Sequence, residues 1–137
     1  ILAAVWVFVE ALNAKGENQG RIQLASLATA GFIWASYIVG GYWYVMYYYA
    51  DKARIVDGPW PFAHNFFMET KEHVFLGLLV LATFLPIAAY NNIASSKGAR
   101  TLVMWSAAFV VLIALGMEGA GAFVSMGVKL ALIAKAI

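Results

Sequence analysis

The 137-residue chain is 64% hydrophobic and 12% charged, against roughly 45–50% and about 25% in soluble globular domains. Its formal charge is only +2, with Lys and Arg scattered along the sequence, which argues against a nucleic-acid surface. With no Cys, it can hold no disulfide, thiolate metal site, iron–sulfur cluster or Cys nucleophile.

Residues 22–50, 74–96 and 101–117 contain no Asp, Glu, Lys or Arg. An apolar run of about 20 residues, rising ~1.5 Å per residue, crosses the ~30 Å hydrocarbon core of a bilayer. Three such runs leave no room for a soluble domain. The expected fold is therefore an all-α integral membrane protein, one bundle of four transmembrane helices, or five if the last stretch breaks.

Residues 1–14 are apolar except for Glu10 and Asn13 and reach only about 21 Å. They read as the end of a first transmembrane helix whose beginning lies before Ile1. No basic segment or small-residue cleavage pattern marks them as a secretory signal. Lys15 to Arg21 is a polar turn with two Gly. The second helix is expected over 22–49, its later half crowded with Tyr37, Tyr42, Trp43, Tyr44, Tyr47, Tyr48 and Tyr49, rings that concentrate at a membrane interface. Gly31, Ala35, Ser36 and Gly40 form small-xxx-small pairs suited to close helix approach.

Residues 51–73 read as the only long polar connection. Asp57-Gly58-Pro59 signals a turn, and Pro61 suits the first position of a helix. Either helix three begins there, or Thr70 caps it and residues 60–68 form an interfacial amphipathic piece. The third span, 70–90, contains Pro86, which implies a kink. After a polar turn at 95–100 the fourth helix is expected over 101–117. Glu118-Gly119-Ala120-Gly121-Ala122 then kinks or breaks it, so residues 118–137 either continue that helix or open a fifth. By parity, the turns at 15–21 and 95–100 share one side. Lys15, Arg21, Lys97 and Arg100 at their helix ends place that side in the cytoplasm and the 51–73 connection outside.

Candidate chemistry gathers at this outer segment. On a helix, Glu69, Glu72 and His73 fall at i, i+3 and i+4 on one face, a donor set for Zn, Fe or Mn, and Glu118 reaches the same end from helix four. His64 and Met68 at i, i+4 suit Cu(I). His73, at the start of a span, is the expected principal ligand of a metal or of a haem b. His64 lies about 180° away on an ideal helix and joins only if the Pro59–Phe67 segment folds back. The competing reading is that these are solvated interface residues, the acids favoured by a helix N-terminus. Glu10, an intramembrane carboxylate, is expected to reach the interface or to pair with Lys15 or Arg100. Tyr37, Tyr44 and Tyr48 can line a haem or quinone pocket, or belong to an aromatic belt without a ligand. Ser26, Ser36 and Ser106 have no His at matching depth for nucleophilic catalysis, and Gly116, Gly119 and Gly121 do not follow a strand as a phosphate loop does. Whether the chain is an enzyme stays open.

The four-helix outline resembles small membrane proteins of the cytochrome b type. Those proteins place His within their helices, whereas here only His73 approaches that position, so the likeness is architectural and carries no residue roles. Three functions stand as expectations. The first is a small subunit packing against the bilayer and against other membrane subunits or copies of itself. The second is a redox or metal- or haem-binding protein using the His/Glu cluster. The third, a minimal channel or transporter, lacks the buried ionisable residues of a transport path.

Overall fold

The computed structural model describes residues 1–136, all of whose regular elements are helical. Helix α1 covers Leu2–Leu12 and is followed by a 3₁₀ turn, Gly16–Asn18. Helix α2 covers Gln19–Val56, a π-helical turn Ala63–Met68 runs into α3, Glu69–Ala89, and α4 covers Lys97–Ala136. Three helical stretches are long and apolar enough to cross a membrane: 16–56, 63–89 and 97–136. The 11-residue α1 is not.

These boundaries correct the sequence reading at the end of α2 and select one of its two alternatives beyond residue 117. Helix α2 does not stop at Tyr49 but continues through Ala50–Val56, where no Gly or Pro interrupts it. With the π-helical turn already under way at Ala63, the connection shrinks from 51–73 to a stretch between Val56 and Ala63. Helix α4 passes unbroken through Glu118–Ala122, so residues 118–136 continue it and no fifth helix starts there. Glycine in a helix costs only about 1 kcal/mol each, too little to break a helix held by apolar packing on both sides. Pro86 lies inside α3, buried, and the helix continues past it.

The chain divides into two compact units, Ile1–Ser36 with Gly77–Leu115, and Tyr37–Leu76 with Gly116–Ile137. In the first unit the core is built largely from small side chains: Ala11, Ala25, Ala88, Ala89 and Ala107 close around Val7, Ile22, Leu85 and Val103. Large ones such as Leu24, Phe32, Val80, Ile87 and Leu112 point outward. Small inside and large outside is the pattern of helices in lipid, where association comes from close packing rather than from hiding apolar surface from water.

Polar side chains in this unit serve the backbone. Asn18 is buried; its Nδ2 lies 3.1 and 3.2 Å from the Glu10 and Asn13 carbonyls, and its Oδ1 accepts from the Lys15 N–H at 2.7 Å. Gln19 Nε2 donates to the Ala89 and Asn91 carbonyls, both at 2.9 Å, covering acceptors that the end of α3 leaves open. Ser96 Oγ caps α4 by accepting from the Ala99 N–H. Glu10 accepts from Arg21 Nε (2.9 Å), Asn18 Nδ2 (2.8 Å) and Trp6 Nε1 (3.2 Å). Its cationic partner is therefore Arg21, not Lys15 or Arg100: the 3₁₀ turn folds the chain back so that the start of α2 faces the end of α1.

The second unit is tied at two glycines. A Cβ on Gly127 would stand 2.7 Å from the Ala63 Cβ, and one on Gly58 would stand 2.8 Å from the Ala131 Cβ. The end of α4 thus touches the loop and the π-helical turn at contact distances only glycine permits. Around them Tyr48, Ile55, Ala63 and Val124 form a core, with Phe67 stacked on Phe123 at 4.2 Å between ring centres. The Gly31, Ala35, Ser36 and Gly40 positions of α2 make no close contact within this chain. All four are exposed, and a Cβ on Gly31 or Gly40 would meet nothing within 4 Å. The chain's own close packing uses the alanines instead.

Candidate functional site

The second unit holds a polar cluster built by the π-helical turn. Pro61 stands at its entry, where a missing N–H costs nothing, and the Pro61 carbonyl accepts from the N–H groups of His64 and Asn65. The helical start at Pro61 is thus the alternative the structure adopts; Thr70 lies inside α3 rather than capping it. Within the turn the Glu69 N–H donates to the His64 carbonyl. An i→i+5 ladder carries residues five apart over one another, so His64 and Glu69 share a side.

The consequence is a buried histidine. His64 is 3% exposed. Its Nδ1 lies 3.2 Å from the Tyr48 hydroxyl and its Nε2 lies 3.5 Å from Glu69 Oε1, the Glu69 side chain being half exposed. An ionised carboxylate only accepts, so Glu69 favours the tautomer with the proton on Nε2. Nδ1 is then an acceptor, and Tyr48 donates its hydroxyl proton to it. Next to this trio, Tyr44 stacks on Tyr48 with ring centres 5.1 Å apart. Glu72 Oε1 is buried with no hydrogen-bond partner.

The expected metal centre is not assembled. Among the described residues no three His, Asp or Glu side chains converge on a point where a metal ion could sit. His73, expected as principal ligand, is exposed, and its Nδ1 donates to the Glu69 carbonyl one turn back in its own helix at 2.7 Å. Glu69, Glu72 and His73 do share α3, but Glu69 is drawn to His64, Glu72 is half-buried, and Glu118 is exposed on α4. His64 is instead brought to Glu69 by the π-helical turn, which runs on into α3. A period of 3.6 hides this, because it puts His64 about 140° from Glu69; only the extra residue in the π-helical turn brings it round.

Beside the cluster runs a groove of about 340 Å³ lined by Val39, Gly40, Trp43, Tyr44, Tyr48, Met68 and Lys71. Its lining residues are aromatic and aliphatic apart from Lys71, whose Nζ lies close to Gly121 of α4. Comparison with protein-family models, curated proteins and solved structures finds no match for this chain.

Proposed function

We propose that the protein is a small multi-pass membrane subunit that packs against other membrane subunits or further copies of itself. In this reading α2, α3 and α4 supply three spans, and the Asp57–Phe62 connection faces the non-cytoplasmic side, opposite Lys15, Arg21, Lys97 and Arg100. Helices α2 and α4, about 57 and 60 Å long by rise, exceed the hydrocarbon core, so their C-terminal ends project beyond it or the helices tilt.

One observation carries the reading. Small residues elsewhere close the chain's own helix contacts, yet Gly31, Ala35, Ser36 and Gly40 of α2 are left uncovered. Small residues facing lipid gain nothing; facing another helix they allow close approach. Replacing Gly31 by Leu fills that face without touching the chain's own packing. In mild detergent the native protein should migrate as an assembly and Gly31→Leu as a smaller species. Native migration of the variant would reject the reading.

A redox or cofactor-binding membrane protein is the second reading, favoured by the buried His64 beside an aromatic groove. An optical spectrum with elemental analysis of the purified protein separates the two: a haem absorbance or a stoichiometric metal moves the conclusion to the second.

A further inference from the structure

We propose that Tyr48 is a one-electron redox site: a high-potential metal complex takes an electron from its ring while its hydroxyl proton passes to His64 Nδ1, leaving a neutral tyrosyl radical enclosed in the second unit. The proposal rests on contacts within that unit and is independent of the subunit reading.

The chain has seven tyrosines, and Tyr48 alone among them is buried. Taking an electron from a buried phenol leaves a charged ring in apolar surroundings, which is costly. That cost is avoided when the proton departs with the electron, and this requires a base already in place. His64 is such a base. Its Nδ1 accepts from the Tyr48 hydroxyl at 3.2 Å, and its other ring nitrogen faces Glu69. At 3% exposure the imidazole holds the proton it receives away from bulk solvent. The second imidazole of the chain, His73, is exposed and is bonded through Nδ1 to the Glu69 carbonyl of its own helix.

The step balances within these groups and the oxidant. The Tyr48 O–H bond breaks, an N–H bond forms at His64 Nδ1, and one electron passes to the metal complex, which is reduced. The positive charge now on the imidazole faces the Glu69 carboxylate, whose Oε1 lies 3.5 Å from Nε2. An opposite charge at that range favours the charged form of the ring. Reduction returns the electron to Tyr48 and the proton to its oxygen.

The electron also has a way out. Tyr44 stacks on Tyr48 with ring centres 5.1 Å apart and 25° between the planes. Tyr44 is half-buried and, with Trp43, lines the open groove along α2, so an oxidant in the groove need not touch Tyr48 itself. Asp51, Lys52 and Arg54 follow within two turns, which puts the pair near the polar end of the helix.

The test mixes the full chain in detergent with one equivalent of hexachloroiridate(IV) and follows electron paramagnetic resonance in samples frozen at intervals. The native chain should give an organic-radical signal that outlasts the oxidant, narrows when the tyrosines are ring-deuterated, and forms more slowly in D2O. Tyr48→Phe should lose that signal. His64→Gln keeps an acceptor for the hydroxyl but not a base, so formation should slow at least about tenfold, a positioned base being worth about 10²–10⁴-fold. The proposal is overturned if no radical persists in the native chain, or if its signal ignores the tyrosine label or the solvent isotope. It is equally overturned if Tyr48→Phe or His64→Gln, with native circular dichroism, behaves as the native chain does. The label and isotope measurements use the native sequence and decide the matter even where a variant fails to fold. None of these outcomes depends on the migration of Gly31→Leu.

Discussion

The Tyr48 hydroxyl and His64 Nδ1, sixteen residues apart, meet at 3.2 Å inside the second unit, both side chains nearly or fully buried. The contact ties the π-helical turn to α2.

This coupling predicts a measurable non-additivity. His64→Ala should destabilise the protein by about 2–4 kcal/mol through a cavity and an orphaned hydroxyl. Tyr48→Phe should cost about 1–3 kcal/mol by leaving Nδ1 unpaired. The double variant, unfolded by heat or denaturant in detergent, should lose clearly less than the sum. Full additivity would show that the two groups do not interact.

Glycine substitutions should sort by place. Gly127→Ala and Gly58→Ala drive a Cβ to within 2.8 Å of the Ala63 and Ala131 methyl groups, so each should cost about 1–3 kcal/mol by overpacking. Gly20→Ala and Gly119→Ala, in helices with open space around them, should be neutral or stabilising by up to about 1 kcal/mol. Melting temperatures of the four variants decide the matter, and a reversed order would mean that the end of α4 does not pack as described.

At the α1–α2 turn, Asn18 should matter more than Arg21. Asn18 is buried and touches Lys15, Glu10 and Asn13, so Asn18→Ala should cost about 1–3 kcal/mol. The Arg21–Glu10 pair has an exposed arginine, and exposed pairs contribute little and are screened by salt. Arg21→Gln should therefore change the melting temperature less than Asn18→Ala, and the gap should widen as salt rises. A larger loss from Arg21→Gln would reverse this ranking of the turn's contacts.

Topology can be read directly, because the chain has no native Cys. Single cysteines at Glu17 and Lys97 should label from one side of sealed vesicles, and one at Asp57 from the other. Equal labelling of all three from one side would rule out the membrane path.

The three helices long and apolar enough to cross a membrane are legible in the uncharged runs, because a lipid solvent leaves so few other options for the backbone. The chemistry where α2 meets the π-helical turn is only half legible. Glu69, Glu72, His64 and Tyr48 belong to one neighbourhood, as their places near the helix ends suggest. Their pairing follows from an i→i+5 turn that residue spacing at 3.6 per turn cannot display. His73 looks the better ligand in sequence for the same reason: its distance from Glu69 is an α-helical one, and the α-helix uses that distance for a bond from its ring to a carbonyl. The Gly31–Gly40 stripe shows the opposite limit. Sequence marks it as capable of close contact, but cannot say whether the contacting helix belongs to the same chain.

The Ala63–Met68 turn also gives this region a dependence on length rather than on residue type. Its wide winding accommodates one residue more than an α-helix would, and that surplus sets the angular phase of everything between Pro61 and the start of α3. Deleting Asn65 would let the segment relax to α-helical winding and rotate His64 by about 100°, one residue's turn at 3.6 residues per turn. The imidazole would leave Glu69 and Tyr48 without any functional side chain having been altered. A single-residue deletion here acts as a rotation of the site, and an insertion elsewhere in the same turn would turn it back.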